Sequence, residues 1–279
     1  MKKFFKISGI IIASIIILVA VALLYINYKG IPYYTVEKID YTAISTAESV
    51  ERGRKLVTFL CANCHLNRET GKLTGKRMVD APPEFGVIYS KNITQDKTYG
   101  IGDWTDGELL YLLRTGIKKN GEYAPPYMAK LPHMADEDMN AIISFLRSDN
   151  RMVTADPNPD IESSPSLLTK ILCRVAFKPL PMPTGKIEMP DSTNAVENGR
   201  YLAYNLECFS CHSADFKTND FLDPSLSKGF FGGGNKPLDL EGRVKLTPNL
   251  TPDKEAGDIY EYLRTIPPIK HKVIRSIYN

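Results

Sequence analysis

The chain opens on a continuous apolar run. Ile7 to Ile26 carries no charge and follows Lys2, Lys3 and Lys6. About twenty apolar residues suffice to span a bilayer as a helix. Basic residues ahead of such a span keep its N-terminus cytoplasmic. The run therefore predicts a transmembrane helix within residues 1–28, with the rest of the chain on the periplasmic side of the inner membrane. The competing reading is a cleaved signal peptide with Ala20-Val21-Ala22 at its cleavage site. The apolar run continues past Ala22 to Ile26, which favours a retained anchor.

Beyond a linker at 29–45 the pattern turns helical. Ser45-Thr-Ala-Glu48 reads as a capping box opening a helix that runs into Cys61. Thr105-Asp-Gly-Glu108 reads as another, followed by Leu109, Leu110, Leu112 and Leu113 and closed by Gly116. A third helix starts near Asp136. Its Met139, Ile142, Ile143 and Leu146 fall at i, i+3, i+4 and i+7, one apolar face. No alternating strand pattern stands out in this region. Residues 151–190 are rich in proline, which predicts a linker extended in parts. One amphipathic piece interrupts it, SLLTKILCRVAF, with Leu168, Ile171, Leu172 and Val175 at helical spacing. Further on, KPLDLEGRVKL has the look of a short hairpin.

The pattern also repeats. Glu51 to His65 aligns with Glu197 to His212, sharing Glu51/Glu197, Gly53/Gly199, Arg54/Arg200, Leu56/Leu202 and a Cys-x-x-Cys-His frame. The chain thus reads as a tandem duplication, with one domain at 46–150 and another at 191–279. Composition adds little. With 279 residues, 24% charged, and a net charge of +3, the chain has neither the basic stripe nor the interleaved aromatics of a nucleic-acid binder.

The cysteines add chemistry. Four of the five form the pairs Cys61/Cys64 and Cys208/Cys211, each followed by histidine, His65 and His212. Cys-x-x-Cys-His is the attachment signal for c-type haem. The thiols form thioethers to the haem vinyl groups, and the next imidazole faces the iron. Structural zinc is the alternative, but each pair would need more Cys or His nearby. Only His133 and His271 remain. Cys173, the odd one out, reads as a buried or interfacial small hydrophobe. Gly232-Gly233-Gly234 lacks the Lys-Ser/Thr of a phosphate loop and reads as a turn near the haem edge.

With this duplicated motif behind an export segment, the chain resembles tandem class I cytochromes c, like the cytochrome subunits serving bacterial membrane-bound dehydrogenases. The resemblance implies a mainly α architecture, with two helical domains behind the membrane helix and two covalently bound haem c groups. It implies that the first and last helices of each domain cross near Gly53 and Phe145, and near Gly199 and Tyr262. It also implies a sixth iron ligand in a methionine loop before the last helix. In PPYMAKLPHMADEDM, Met128 matches the ligand position and Met134 the core leucine; Ala129 stands where proline is usual. Met128 is therefore the expected axial ligand, with core filler as the alternative. Met134 is the fallback ligand, and His133 reads as a surface residue. Trp104 would lie against the haem edge or bury its N–H elsewhere.

The second copy is short. The stretch between Asn249 and Tyr262 lacks about forty residues present between Asn92 and Phe145. The lost segment corresponds to Trp104, the Leu109–Leu113 helix and the Met128 loop, and no methionine follows Met189. The second iron is then five-coordinate, or takes His271, or Met182 or Met189 from the linker, or is covered by a partner. The expected function is electron transfer from a dehydrogenase or quinol-side donor to a soluble cytochrome or terminal oxidase. The alternative is a peroxidase-like enzyme using an open second haem.

Overall fold

The computed structural model describes residues 2–239 and 241–251. His271 and the expected last helix, with Ile259, Tyr262, Leu263 and Ile266, lie outside the described residues.

Helix α1 spans Lys2–Lys29. Its most apolar window is nowhere buried against the protein, and it is long and apolar enough to cross a bilayer. Helix α2, Ala47–Leu60, follows. Its capping box is Thr46 with Ser49, one residue later than the Ser45/Glu48 frame: Ser49 N–H donates to Thr46 Oγ1 and Thr46 N–H to Ser49 Oγ. The shift has a long-range cause. Ala43 N–H is held by Asp106 at 3.0 Å and Ile44 N–H by Asn140 at 2.7 Å, which fixes where the chain enters the helix. A single turn, α3 (Ala62–His65), completes the Cys-x-x-Cys-His frame.

Helix α4, Asp106–Thr115, has the expected Thr105/Glu108 capping box and stops at Gly116, which is left-handed at φ 81°. Helix α5, Asp136–Leu146, buries Met139, Ile142, Ile143 and Leu146, the face read from the sequence. It crosses α2 at Gly53. A Cβ on Gly53 would sit 1.9 Å from the Ala141 carbonyl oxygen and 2.8 Å from Phe145 Cβ. Only glycine permits that approach. Val57, Leu109, Leu110, Ile142, Phe145 and Met134 form the core around it.

The proline-rich linker packs on the first domain. A two-residue strand β1 (Gly86–Val87) pairs antiparallel with β2 (Ser164–Pro165). Asn92 Nδ2 donates to the carbonyls of Asp156 and Asn158, Leu180 N–H reaches Thr115 O, and Asp136 N–H reaches Ile187 O. Helix α6, Leu167–Val175, is the amphipathic piece, and Cys173 is fully buried beside Ile31 and Tyr123 as expected. Met182 packs against the first-domain core, and Met189 Sδ lies 3.9 Å from Arg52 Nη2.

Helices α7 (Ala195–Asn205) and α8 (Cys208–His212) lie in the stretch read from the sequence as a second domain. The hairpin is present: Asn235 to Thr247 form a ladder through Thr247 N–H to Asn235 O, Lys245 N–H to Pro237 O and Asp239 N–H to Arg243 O. This domain docks on α5. Asp138, fully buried, pairs with Arg52 and accepts the Tyr201 hydroxyl at 2.6 Å, and that hydroxyl accepts Ala135 N–H at 3.1 Å. His133 is not a surface residue. It is half-buried in this contact, its Nε2 3.0 Å from Phe221 O and its ring edge-on to Tyr204.

Candidate haem sites

Helical geometry sets the first site. The α2 helix carries through Cys61, whose N–H bonds Val57 O, and continues as Cys64 N–H and His65 N–H both bond Cys61 O. Residues three apart share a helical face, so the two thiols sit on one side and the imidazole follows directly. His65 Nδ1 lies 2.7 Å from Lys91 O. A carbonyl only accepts, so Nδ1 carries the proton and the lone pair is on Nε2. Burial holds the His65 pKa below the ordinary imidazole value, which keeps the ring neutral. This is the state a metal-binding histidine needs, with its other nitrogen oriented by a backbone carbonyl.

A loop straps this histidine from below. Gly75 N–H bonds His65 O at 2.8 Å, and Ser90 Oγ bonds Cys64 O at 2.6 Å. Gly75 has φ +82°, and a Cβ there would meet Ser90 O at 2.3 Å, so only glycine fits. Ile93 N–H to Leu73 O closes the loop.

The second site repeats these bonds. His212 Nδ1 lies 3.0 Å from Pro248 O, Gly233 N–H bonds His212 O at 2.7 Å, and Leu250 N–H bonds Phe231 O at 2.8 Å. Ala214 N–H to Lys228 O matches Asn67 N–H to Lys72 O. Gly233 has φ +71°, and a Cβ there would lie 2.5 Å from the Pro248 carbonyl carbon. The glycine triplet is therefore the turn beneath the second histidine. In this half the duplication persists as geometry.

The surroundings of the four thiols disfavour the thiolate. Burial pushes Cys61 up to about 12 and Cys64 up to about 11, and Cys208 and Cys211 are raised by burial too. Among the described residues no three His, Cys, Asp or Glu side chains gather as a metal site. Thiols sharing a face, beside a neutral imidazole presenting Nε2, match what haem c requires of the protein.

The loop before α5 holds the remaining candidates. Met128 is half-buried, its N–H on Pro125 O at 3.0 Å. Met134 is fully buried in the core, where the missing leucine would be. Arg114 organises this loop, and the sequence reading missed it. It is 1% exposed and donates to Leu131 O at 2.8 Å, Met134 O at 2.6 Å and Asp136 Oδ1 at 2.8 Å. In sequence it passes for a cation closing a helix end. Trp104 packs at the core edge with Lys119 Nζ 5.9 Å from its ring centre.

The two attachment turns come close enough to share the influence of one charged group. Glu207, left-handed at φ 52° just before Cys208, has Oε1 buried with no hydrogen-bond partner. Burial pushes it up to about 7, and Lys130, two residues past Met128, is pushed down to about 7 by burial while feeling the Glu207 charge. That carboxylate is close enough to contribute, behind burial, to raising both Cys64 and Cys211.

Comparison with known proteins agrees with this geometry. Residues 50–149 match the family model for cytochrome c. The chain is 30% identical over 219 residues to the cytochrome c subunit of a quinone alcohol dehydrogenase from Gluconacetobacter polyoxogenes, covering 74% of this chain and 45% of that protein. It is 31% identical over 240 residues to the fructose dehydrogenase cytochrome subunit of Gluconobacter japonicus, covering 78% and 45%. A diheme cytochrome c-type protein of Cereibacter sphaeroides is 29% identical over 218 residues, covering 73% and 68%. The chain thus spans a little under half the length of those two dehydrogenase subunits. With a mainly helical fold and this kinship, residues 50–149 form a cytochrome c domain, in a chain similar to the cytochrome subunits of dehydrogenases.

Proposed function

We propose that this chain is a membrane-anchored dihaem cytochrome c that carries electrons and performs no substrate chemistry of its own. Cys61 and Cys64 would hold one haem and Cys208 and Cys211 the other. His65 and His212 would supply the proximal nitrogen of each. When bound, haem c supplies a one-electron couple, and the protein tunes it through the axial ligands and burial. The observation carrying the reading is the repeated histidine-to-carbonyl bond, His65 to Lys91 and His212 to Pro248. Two imidazoles are fixed in the same tautomer on the same kind of turn.

The sites are unequal in this reading. Met128 is the sixth ligand of the first haem, with Met134 committed to the core. The methionines once available to the second, Met182 and Met189, are engaged with the first domain. Two of the relatives are named as dehydrogenase subunits, so the donor is a dehydrogenase or quinol-side partner. The acceptor is a soluble cytochrome or terminal oxidase. Helix α1 would cross the inner membrane once and hold both haem domains on the periplasmic side. The relatives named above lend no support to the peroxidase-like alternative.

Intact-mass measurement of protein made with a c-type maturation system tests the count. Two haem additions are expected, falling to one in C61S/C64S and one in C208S/C211S. A single addition in the wild type would refute the dihaem assignment.

A further inference from the structure

Helix α6 carries an apolar face that is largely uncovered among the described residues, with Leu167, Leu168 and Val175 exposed and Ile171 partly covered. Thr169 and Cys173, one turn apart, are its buried side, and Thr169 Oγ1 bonds Phe85 O at 2.9 Å. At 100° per residue the opposite face comprises Leu167, Leu168, Ile171 and Val175. Leu168 is 45% exposed and Val175 69%. A soluble domain rarely aligns such residues outward along a whole helix.

The position of α6 says what covers them. Lys170 Nζ bonds Asn27 Oδ1 at 2.8 Å, and Arg174 Nη1 bonds Gly30 O. Asn27 immediately follows the apolar run that ends at Ile26. The helix is thus tied to α1 where that helix would leave the hydrocarbon. Tyr25, Tyr28 and Lys29 occupy the same level, with Tyr28 85% exposed. Aromatic residues favour that depth. Lys170 and Arg174, one turn apart, line one flank of the apolar face, and Lys178 follows just past the helix end. A short helix with an apolar face, a basic flank and a seat beside a membrane span has the composition of an interfacial helix. Its basic flank suits anionic headgroups.

We propose that α6 lies in the membrane interface and inserts Leu167, Leu168, Ile171 and Val175 at the headgroup–acyl boundary, a second membrane contact. Together with α1 it holds the first haem domain in one orientation above the membrane, since its buried face packs on that domain. The proposal rests on α1 being the membrane anchor.

The full haem-loaded chain in vesicles of phosphatidylethanolamine and phosphatidylglycerol is exposed to an apolar carbene photolabel that partitions into acyl chains. Labelled peptides are then mapped by mass spectrometry. Label is expected on α1 and α6 and not on α4. In L168E/V175E, label on α6 is expected to be lost while that on α1 stays and the haem spectrum is unchanged. Label on α1 without label on α6 overturns the proposal and leaves the anchor standing; a protein partner or water then covers that face. Label on α6 that persists in L168E/V175E also overturns it. Absence of label on α1 refutes the anchor and the proposal with it.

Discussion

Replacing Gly53 by alanine probes the crossing on which the first domain is built. The new Cβ would stand 1.9 Å from the Ala141 carbonyl oxygen. An ordinary carbon–oxygen contact lies near 3.4 Å, so α5 must retreat by about 1.5 Å. The obstacle is backbone, so no side-chain rotation relieves it. Around the crossing Val57, Met139, Ile142 and Phe145 are all at most 1% exposed. A gap of even about 0.5–1 Å forfeits a quarter to a half of the dispersion attraction across it. Overpacking costs about 1–3 kcal/mol and sometimes more, and this site belongs at the upper end. Alanine's better helix propensity returns about 1 kcal/mol. The net loss is about 2–3 kcal/mol, and for a domain of this size that lowers Tm by roughly 10 °C or more. The assay is a thermal melt of the haem-loaded protein followed by circular dichroism. Gly185→Ala, with nothing within 4 Å of its Cβ, is the control and is expected to melt like wild type. A G53A melt indistinguishable from that control would refute the close crossing of α2 and α5.

Three further outcomes follow from the same geometry. Tyr201→Phe leaves the buried Asp138 carboxylate and the Ala135 N–H each one partner short; a loss of about 1–3 kcal/mol is expected in urea unfolding. Arg114→Gln removes the side chain tying Leu131 O, Met134 O and Asp136. It is expected to loosen the Met128 loop, seen as faster exchange of the Leu131 N–H, before the rest of the domain unfolds. Glu207→Gln tests a buried carboxyl raised to about 7 from an ordinary 4.5. A raised acid binds its proton more tightly in the folded state, so its contribution is lost as pH climbs from 4.5 to 7. Wild type and variant should be equally stable well below pH 4.5, and above pH 7 the variant should be more stable by up to about 3 kcal/mol.

The parts of this protein legible in sequence are those with a local period or a fixed spacing. The Cys-x-x-Cys-His turns, the α4 capping box and the apolar face of α5 each occupy one contiguous window, and each is where the pattern puts it. Gly53 was legible through the family resemblance, and Met134 through its register with a core leucine. What escaped depends on distant segments. The α2 cap moved by one residue because Asp106 and Asn140 fix the chain before it. His133 reads as surface until Phe221 and Tyr204 arrive from the second domain. Arg114 looks like a helix-end cation until the Met128 loop folds over it. The linker's prolines signal extension, and the bonds from Asn92 and Thr115 that bind it down have no counterpart in its own composition.

The central claim is that the two haems are unequal, with Met128 ligating the first and no methionine serving the second. The charge-transfer band of a methionine-ligated ferric haem reports this directly. The band is expected in the wild type, absent in M128L, and retained at full intensity per first-site haem in C208S/C211S. Persistence of the band in M128L, or its disappearance from C208S/C211S, would contradict the account.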